Sequence, residues 1–106
     1  EGDISRIAHY LQPVAITHPI TKRKALYVNP LMTARIEGLP SPESDTLLEE
    51  LLRFTESSDI VYEHQWRPGD LLIWDNLCSC HARTDFSSTE RRLLRRCTLL
   101  GTPLSE

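Results

Sequence analysis

The sequence predicts a mainly β domain with a helical insertion, and three observations carry that prediction. Segments rich in strand formers crowd the second half of the chain, at 60–66, 71–74, about 78–84 and about 91–100. The clearest helical period of apolar residues begins at Ser41 and fades near Ser57-Ser58. Turn-forming stretches, Arg67-Pro68-Gly69-Asp70 and Phe86-Ser87-Ser88-Thr89-Glu90, separate the later segments. One helix with about five strands grouped late argues for a sandwich or barrel.

Each element has its own reason. Residues 1–20 hold scattered apolar side chains broken by Pro13 and Pro19, which reads as irregular or short extended structure. Lys24 to Asn29 reads as a strand that Pro30 interrupts. Residues 31–40 are a connection closed by Gly38 and Pro40. Ser41 is a good N-cap, Pro42 suits the first helical position, and Glu43 and Asp45 favour the positive end of the helix dipole. Leu47, Leu48, Leu51 and Leu52 share one face, which reads as core packing. Glu49, Glu50 and Arg53 lie largely off it and read as a solvated face. Leu71-Leu72-Ile73-Trp74 is an apolar run of the kind expected for a strand buried on both sides.

Length and composition bound the rest. At 106 residues the chain is one domain at most. Its 40% hydrophobic and 25% charged residues are ordinary for a soluble globular protein. A net charge of -3 points away from nucleic acid and from an anionic membrane. No run is long enough to span a bilayer, and no charged start precedes an apolar signal segment. The chain starts at Glu1 rather than Met, which reads as processing, trimming or a fragment. Three cysteines cannot all pair within one chain, and Cys78 and Cys80 are poorly placed to bridge each other. A reduced, cytoplasmic setting is the simpler expectation.

The candidate site lies around Trp74-Asp75-Asn76-Leu77-Cys78-Ser79-Cys80-His81 and the run Arg91-Arg92-Leu93-Leu94-Arg95-Arg96. A turn centred near Ser88 and Thr89 would bring His81 level with Arg96 and Asp85 level with Arg92. Arg92 and Arg96 would share one strand face, roughly 13 Å apart. An imidazole and a guanidinium could then meet in one cavity. A neutral ring nitrogen suits a divalent metal. An arginine suits a carboxylate through a bidentate, charge-assisted pair. A 2-oxo acid that chelates a metal at one end and meets arginine at the other needs both.

Plainer readings stand beside these. His81 alone at a strand end reads as structural or solvated. Arg91 and Arg95 alternate away from Arg92 and Arg96 and read as a charged strand edge. Cys78-x-Cys80-His81 has the wrong spacing for zinc and no second ligand pair. Asp75 suits a metal carboxylate or, equally, the turn after a buried strand. His64 beside Trp66 reads as packing or surface, and His9 is uninformative.

Pro68-Gly69-Asp70-Leu71-Leu72-Ile73-Trp74-Asp75-Asn76, then His81, then Arg91-Arg92 and Arg96, resembles the C-terminal half of the TauD/TfdA taurine dioxygenase family. His18-Pro19 with Arg23-Lys24-Ala25-Leu26-Tyr27-Val28-Asn29 is also similar to that family. The likeness covers most of residues 14–102. It implies a double-stranded β-helix, or jelly roll, and an Fe(II)- and 2-oxoglutarate-dependent dioxygenase. Such an enzyme oxidises a small organic substrate with O2 and releases succinate and CO2. By the resemblance His81 matches the distal histidine of a 2-His-1-carboxylate iron site. Arg96 matches the arginine that holds the far carboxylate of 2-oxoglutarate, and Arg92 a second arginine at the co-substrate. Trp74 and Asn76 match a strand lining the iron pocket.

The family's other two ligands come as His-x-Asp or His-x-Glu. The four histidines here are followed by Tyr10-Leu11, Pro19-Ile20, Gln65-Trp66 and Ala82-Arg83. Residues 1–106 are therefore expected to be the C-terminal portion of one such domain, inactive alone and active as part of the full-length enzyme. Its partners would be a small-molecule substrate and O2, with no nucleic acid and no membrane. An exposed half-barrel leaves room for a homo-oligomer. The alternative is a non-catalytic jelly-roll binding module without a complete metal site.

Overall fold

Backbone pairing begins at a short antiparallel hairpin. The computed structural model describes residues 7–105; expectations for residues 1–6 lie outside it. β1 (Ala15–Thr17) pairs with β2 (Lys24–Leu26), with Ala15 opposite Leu26, Ile16 opposite Ala25 and Thr17 opposite Lys24. The ladder continues outward through the Tyr27 amide to the Val14 carbonyl, 2.7 Å. On the other edge of β1, the Thr17 amide donates to the Ser105 carbonyl, 2.9 Å. At the hairpin tip the His18 amide donates to the Arg23 carbonyl and the Lys22 amide to the His18 carbonyl, each 2.9 Å. Lys22 takes a left-handed φ of 60° to close this loop. Beyond β2, Asn29 Oδ1 accepts the amides of Leu31 and Met32, so the chain turns where Pro30 ends strand pairing.

The helix α1 spans Ser41–Thr55, with Pro40 as N-cap. Ser41 is thus the first helical residue rather than the cap, a one-residue shift of the kind common at helix ends. The buried Ser44 hydroxyl accepts the Ile36 amide at 2.8 Å and ties the preceding loop to the first turn. Leu48 is the buried residue of the leucine face; Leu51 and Leu52 are half-buried. Glu49 and Arg53 pair at 3.1 Å on the solvated side. A 3-10 turn, Ser58–Ile60, follows the helix.

The later segments differ from the sequence expectation. Among the described residues, 60–66, 71–74, 78–84 and 91–100 run without ladder partners, and the sheet has two strands. The two predicted turns do form. Gly69 takes φ 89° and the Asp70 amide reaches the Arg67 carbonyl at 3.1 Å. The Glu90 amide reaches the Ser87 carbonyl at 3.0 Å. Strand propensity describes a fit to a neighbour, so a segment with no edge to join stays extended and unpaired. Leu71 to Trp74 is not buried on both sides: Leu71 and Ile73 are exposed, while Leu72 and Trp74 are half-buried.

The core is correspondingly small. Among the described residues its buried apolar side chains are Ile16, Val28 and Leu48. Accessible surface is 10231 Å², against roughly 6,000 Å² for a compact monomer of this mass. The radius of gyration is 16.5 Å, where about 13 Å is usual for this length. No described helix is long and apolar enough to cross a membrane.

Candidate functional site

Two groups of side chains meet around residues 74–81, and they are built differently. The first is a fully satisfied polar contact. His18, at the tip of the β1–β2 hairpin, is 7% exposed. Its Nδ1 accepts the backbone amides of Ile20 and Thr21, each at 3.2 Å. An Nδ1 that accepts two N–H groups carries no proton, so the ring's hydrogen sits on Nε2. That N–H donates to Asp75 Oδ2 at 2.7 Å, across 57 positions of sequence.

Asp75 organises the turn that follows it. Its Oδ1 accepts the Leu77 amide at 2.8 Å, and its backbone carbonyl accepts the Ser79 hydroxyl. The His18 hydrogen bond first, and the Leu77 amide second, hold the Asp75 carboxyl below the ordinary carboxylate range. Sequence reasoning left Asp75 between metal carboxylate and turn former and gave His18 no role. The signal available was a histidine inside an apolar hairpin, since a buried imidazole requires partners. Which partner it finds is a matter of tertiary structure.

Ligand atoms of His18, Asp75 and Cys78 lie within 4.8 Å of one another, the spacing of a metal site. The hydrogen-bond pattern speaks against that use. A metal at His18 Nε2 needs a lone pair there, which moves the proton to Nδ1, against two amide donors. Cys78 Sγ rests at 4.0 Å from the Asp75 carbonyl, and Cys80 Sγ turns instead to the Val28 carbonyl at 3.7 Å. The two cysteines therefore serve different backbone carbonyls, and Cys78-x-Cys80-His81 does not converge as a zinc motif.

The second group is open. The His81 ring lies 4.8 Å from the Trp74 ring, centroid to centroid, and His81 is exposed. Among the described residues neither of its ring nitrogens has a hydrogen-bond partner. Asn76 Oδ1 accepts the Trp74 indole N–H at 2.8 Å and fixes that ring. Beyond the turn at 87–90, Arg83 and Arg92 both lie over the Phe86 ring, 4.9 and 5.7 Å from its centroid. These contacts bring the limbs on either side of the turn to one aromatic side chain. Arg96 makes no ion pair among the described residues, so its guanidinium is available to an anion.

His64 joins neither group. Its Nε2 faces Asp70 Oδ2 at 3.1 Å, its Nδ1 faces the Tyr62 hydroxyl at 3.3 Å, and its ring meets Trp66 edge-on. Asp70 Oδ2 also accepts the Arg67 amide at 3.0 Å. This cluster braces the 67–70 turn near the surface, in line with the packing or surface reading of His64.

The profile of the family described as taurine catabolism dioxygenase TauD, TfdA family matches residues 2–98. The chain belongs to the TauD/TfdA family. The matched span includes His18, Asp75, His81, Arg92 and Arg96. Among similar TauD/TfdA proteins, pentalenolactone F synthase of Streptomyces avermitilis is 43% identical over 79 residues, covering 74% of this chain and 26% of that protein. The (S)-phenoxypropionate/alpha-ketoglutarate-dioxygenase of Sphingobium herbicidovorans is 38% identical over 91% of this chain and 33% of its own. The alpha-ketoglutarate-dependent 2,4-dichlorophenoxyacetate dioxygenase of a Burkholderia species is 42% identical over 84% of this chain and 30% of its own. The chain thus spans about a third or less of the length of these curated relatives. No solved structure matches it.

The TauD/TfdA family implies iron, and the residues present fit a share of its site. His81 offers an imidazole whose nitrogens are both unengaged, the donor chemistry Fe(II) takes. Among the described residues the one cluster of three or more ligand side chains with metal-site spacing is His18, Asp75 and Cys78, and His81 is not in it.

Proposed function

We propose that the whole protein is an Fe(II)- and 2-oxoglutarate-dependent dioxygenase. Residues 1–106 are the C-terminal portion of its single jelly-roll domain. The reading rests above all on the contrast at residues 74–81: His81 is held by Trp74 with both ring nitrogens unengaged, while neighbouring polar groups are internally satisfied. Family membership and relatives named as alpha-ketoglutarate-dependent dioxygenases support it.

In this reading His81 supplies one of three iron ligands. A His-x-Asp or His-x-Glu pair outside these residues supplies the others. Arg96 holds the far carboxylate of 2-oxoglutarate through a bidentate pair, and Arg92 adds positive charge beside it. Iron, when bound, activates O2 at its open coordination positions. The protein's own groups orient the co-substrate and fix the imidazole. The prime substrate is a small organic molecule, the products include succinate and CO2, and the compartment is the cytoplasm.

That His81 joins no cluster of three or more ligand side chains among the described residues favours one other reading, a jelly-roll module that binds without catalysis. Succinate release from 2-oxoglutarate by the full-length protein separates the two. The dioxygenase releases succinate only with Fe(II), and His81→Ala abolishes it. Fe(II)-independent or absent succinate release, or unchanged turnover in the variant, refutes the proposal.

A further inference from the structure

The loop that carries His81 is held at both ends by the same hairpin, and the bonds that hold it are not part of the iron or co-substrate site. At its start, Asp75 adjoins Trp74 and receives the His18 Nε2–H at 2.7 Å. At its end, Cys80 adjoins His81 and its Sγ lies 3.7 Å from the Val28 carbonyl. His18 and Val28 flank β1 and β2 and are both buried. Inside the loop, Asp75 also accepts the Leu77 amide and the Ser79 hydroxyl, and Trp74 meets the His81 ring.

We infer that the His18–Asp75 hydrogen bond is a positioning clasp, which fixes the Trp74–His81 loop on the β1–β2 hairpin and so sets where the His81 imidazole is presented. His18 and Asp75 are positioning residues that act through His81, and neither is a ligand. The inference rests on the reading of His81 as an iron ligand.

The chemistry of Asp75 makes it specific. Its two carboxylate oxygens accept from two different donors, the His18 ring and the Leu77 amide. A carboxylate can accept both bonds. An amide at the same position has one acceptor oxygen and turns an NH2 toward one of the two donors. Asp75→Asn is therefore isosteric yet breaks one bond in either orientation, and at an exposed position it leaves the core intact. His18→Phe keeps a ring and removes both the donor and the acceptor. His18→Gln restores an N–H donor that can reach Asp75.

The test is Mn(II) binding by calorimetry to the full-length protein with 2-oxoglutarate present, on wild type and the variants His81→Ala, Asp75→Asn, His18→Phe, His18→Gln and the double variant His18→Phe/Asp75→Asn. A clasp predicts that Asp75→Asn and His18→Phe each weaken Mn(II) on the order of tenfold, as orienting groups around a metal do. The double variant is no weaker than the worse single variant, because both act on Mn(II) through the His18–Asp75 clasp. His18→Gln recovers most of the loss. Wild-type affinity in Asp75→Asn, additive losses in the double variant, or no recovery in His18→Gln overturns the clasp. If His81→Ala binds Mn(II) as wild type does, the ligand reading itself fails, and the clasp with it. Loss in His81→Ala alone, with every clasp variant unaffected, removes the clasp and keeps the ligand.

Discussion

The hairpin-and-turn region around His18 and Asp75 and the limb from His81 to Arg96 treat polar side chains in opposite ways. His18 uses both ring nitrogens on the protein itself, two amides on one and a carboxylate on the other. His81 uses neither. Asp75 accepts two donors through its carboxylate, while Arg96 has no carboxylate partner among the described residues. The difference teaches how to tell an imidazole committed to the fold from one left open to a ligand. A side chain whose hydrogen-bonding capacity is spent internally stabilises the fold, and a ligand must break those bonds to use it. A side chain in a tilted ring contact, with its polar atoms free, meets a ligand at no such cost.

Substitutions in the open limb and substitutions of core contacts away from the His18–Asp75 clasp should therefore fail in different assays. The largest effect belongs to the open limb. His81→Ala in the full-length protein should abolish Fe(II)-dependent succinate formation while leaving the melting temperature close to wild type; a large thermal shift would place His81 in the fold instead. Next, Arg96→Leu should raise the 2-oxoglutarate requirement by about 2–3 kcal/mol, roughly 30- to 150-fold, through loss of a charge-assisted partner. Steady-state titration of the co-substrate reads this directly, and an unaltered requirement would mean that Arg96 faces only solvent.

The satisfied side should show the converse. Leu48→Ala removes a buried methyl cluster and should cost about 2–3 kcal/mol of stability. Ser44→Ala strips the acceptor from the Ile36 amide and should cost about 1–2 kcal/mol. Denaturant unfolding measures both, and the 2-oxoglutarate requirement of the folded fraction should not move. The smallest effect concerns pH. Asp75 has a folded-state pKa below its ordinary 3.8. Its stabilising contribution is complete above that value and is lost as pH falls below it. Asp75→Asn should accordingly lower stability slightly in the neutral range, where wild type has the contribution in full, and flatten its loss below about pH 4; an unchanged acid limb would mean that the bond to His18 contributes nothing.

The same division explains what could be read from the chain. Helix α1 was legible because its signals are local: Pro42, Glu43 and a leucine period lie within a few turns. The turns at 67–70 and 87–90 were legible for the same reason. β1 fits the reading of residues 1–20 as irregular or short extended structure, but three residues between Pro13 and Pro19 are too few for propensity to mark its bounds. The later segments were read as strands because they contain strand-forming residues, but pairing also needs an edge, which propensity does not report. His81, Arg92 and Arg96 were singled out through spacing and family likeness. The His18–Asp75 bond, across 57 positions, has no local signature at all.

The central claim is that His81 binds iron together with 2-oxoglutarate. Anaerobic titration of the full-length protein with Fe(II) and 2-oxoglutarate tests it most directly, through the weak visible charge-transfer band of the chelate. The band should appear in wild type, vanish in His81→Ala, and need far more 2-oxoglutarate in Arg96→Leu. No band in wild type, or an undiminished band in His81→Ala, would contradict the assignment.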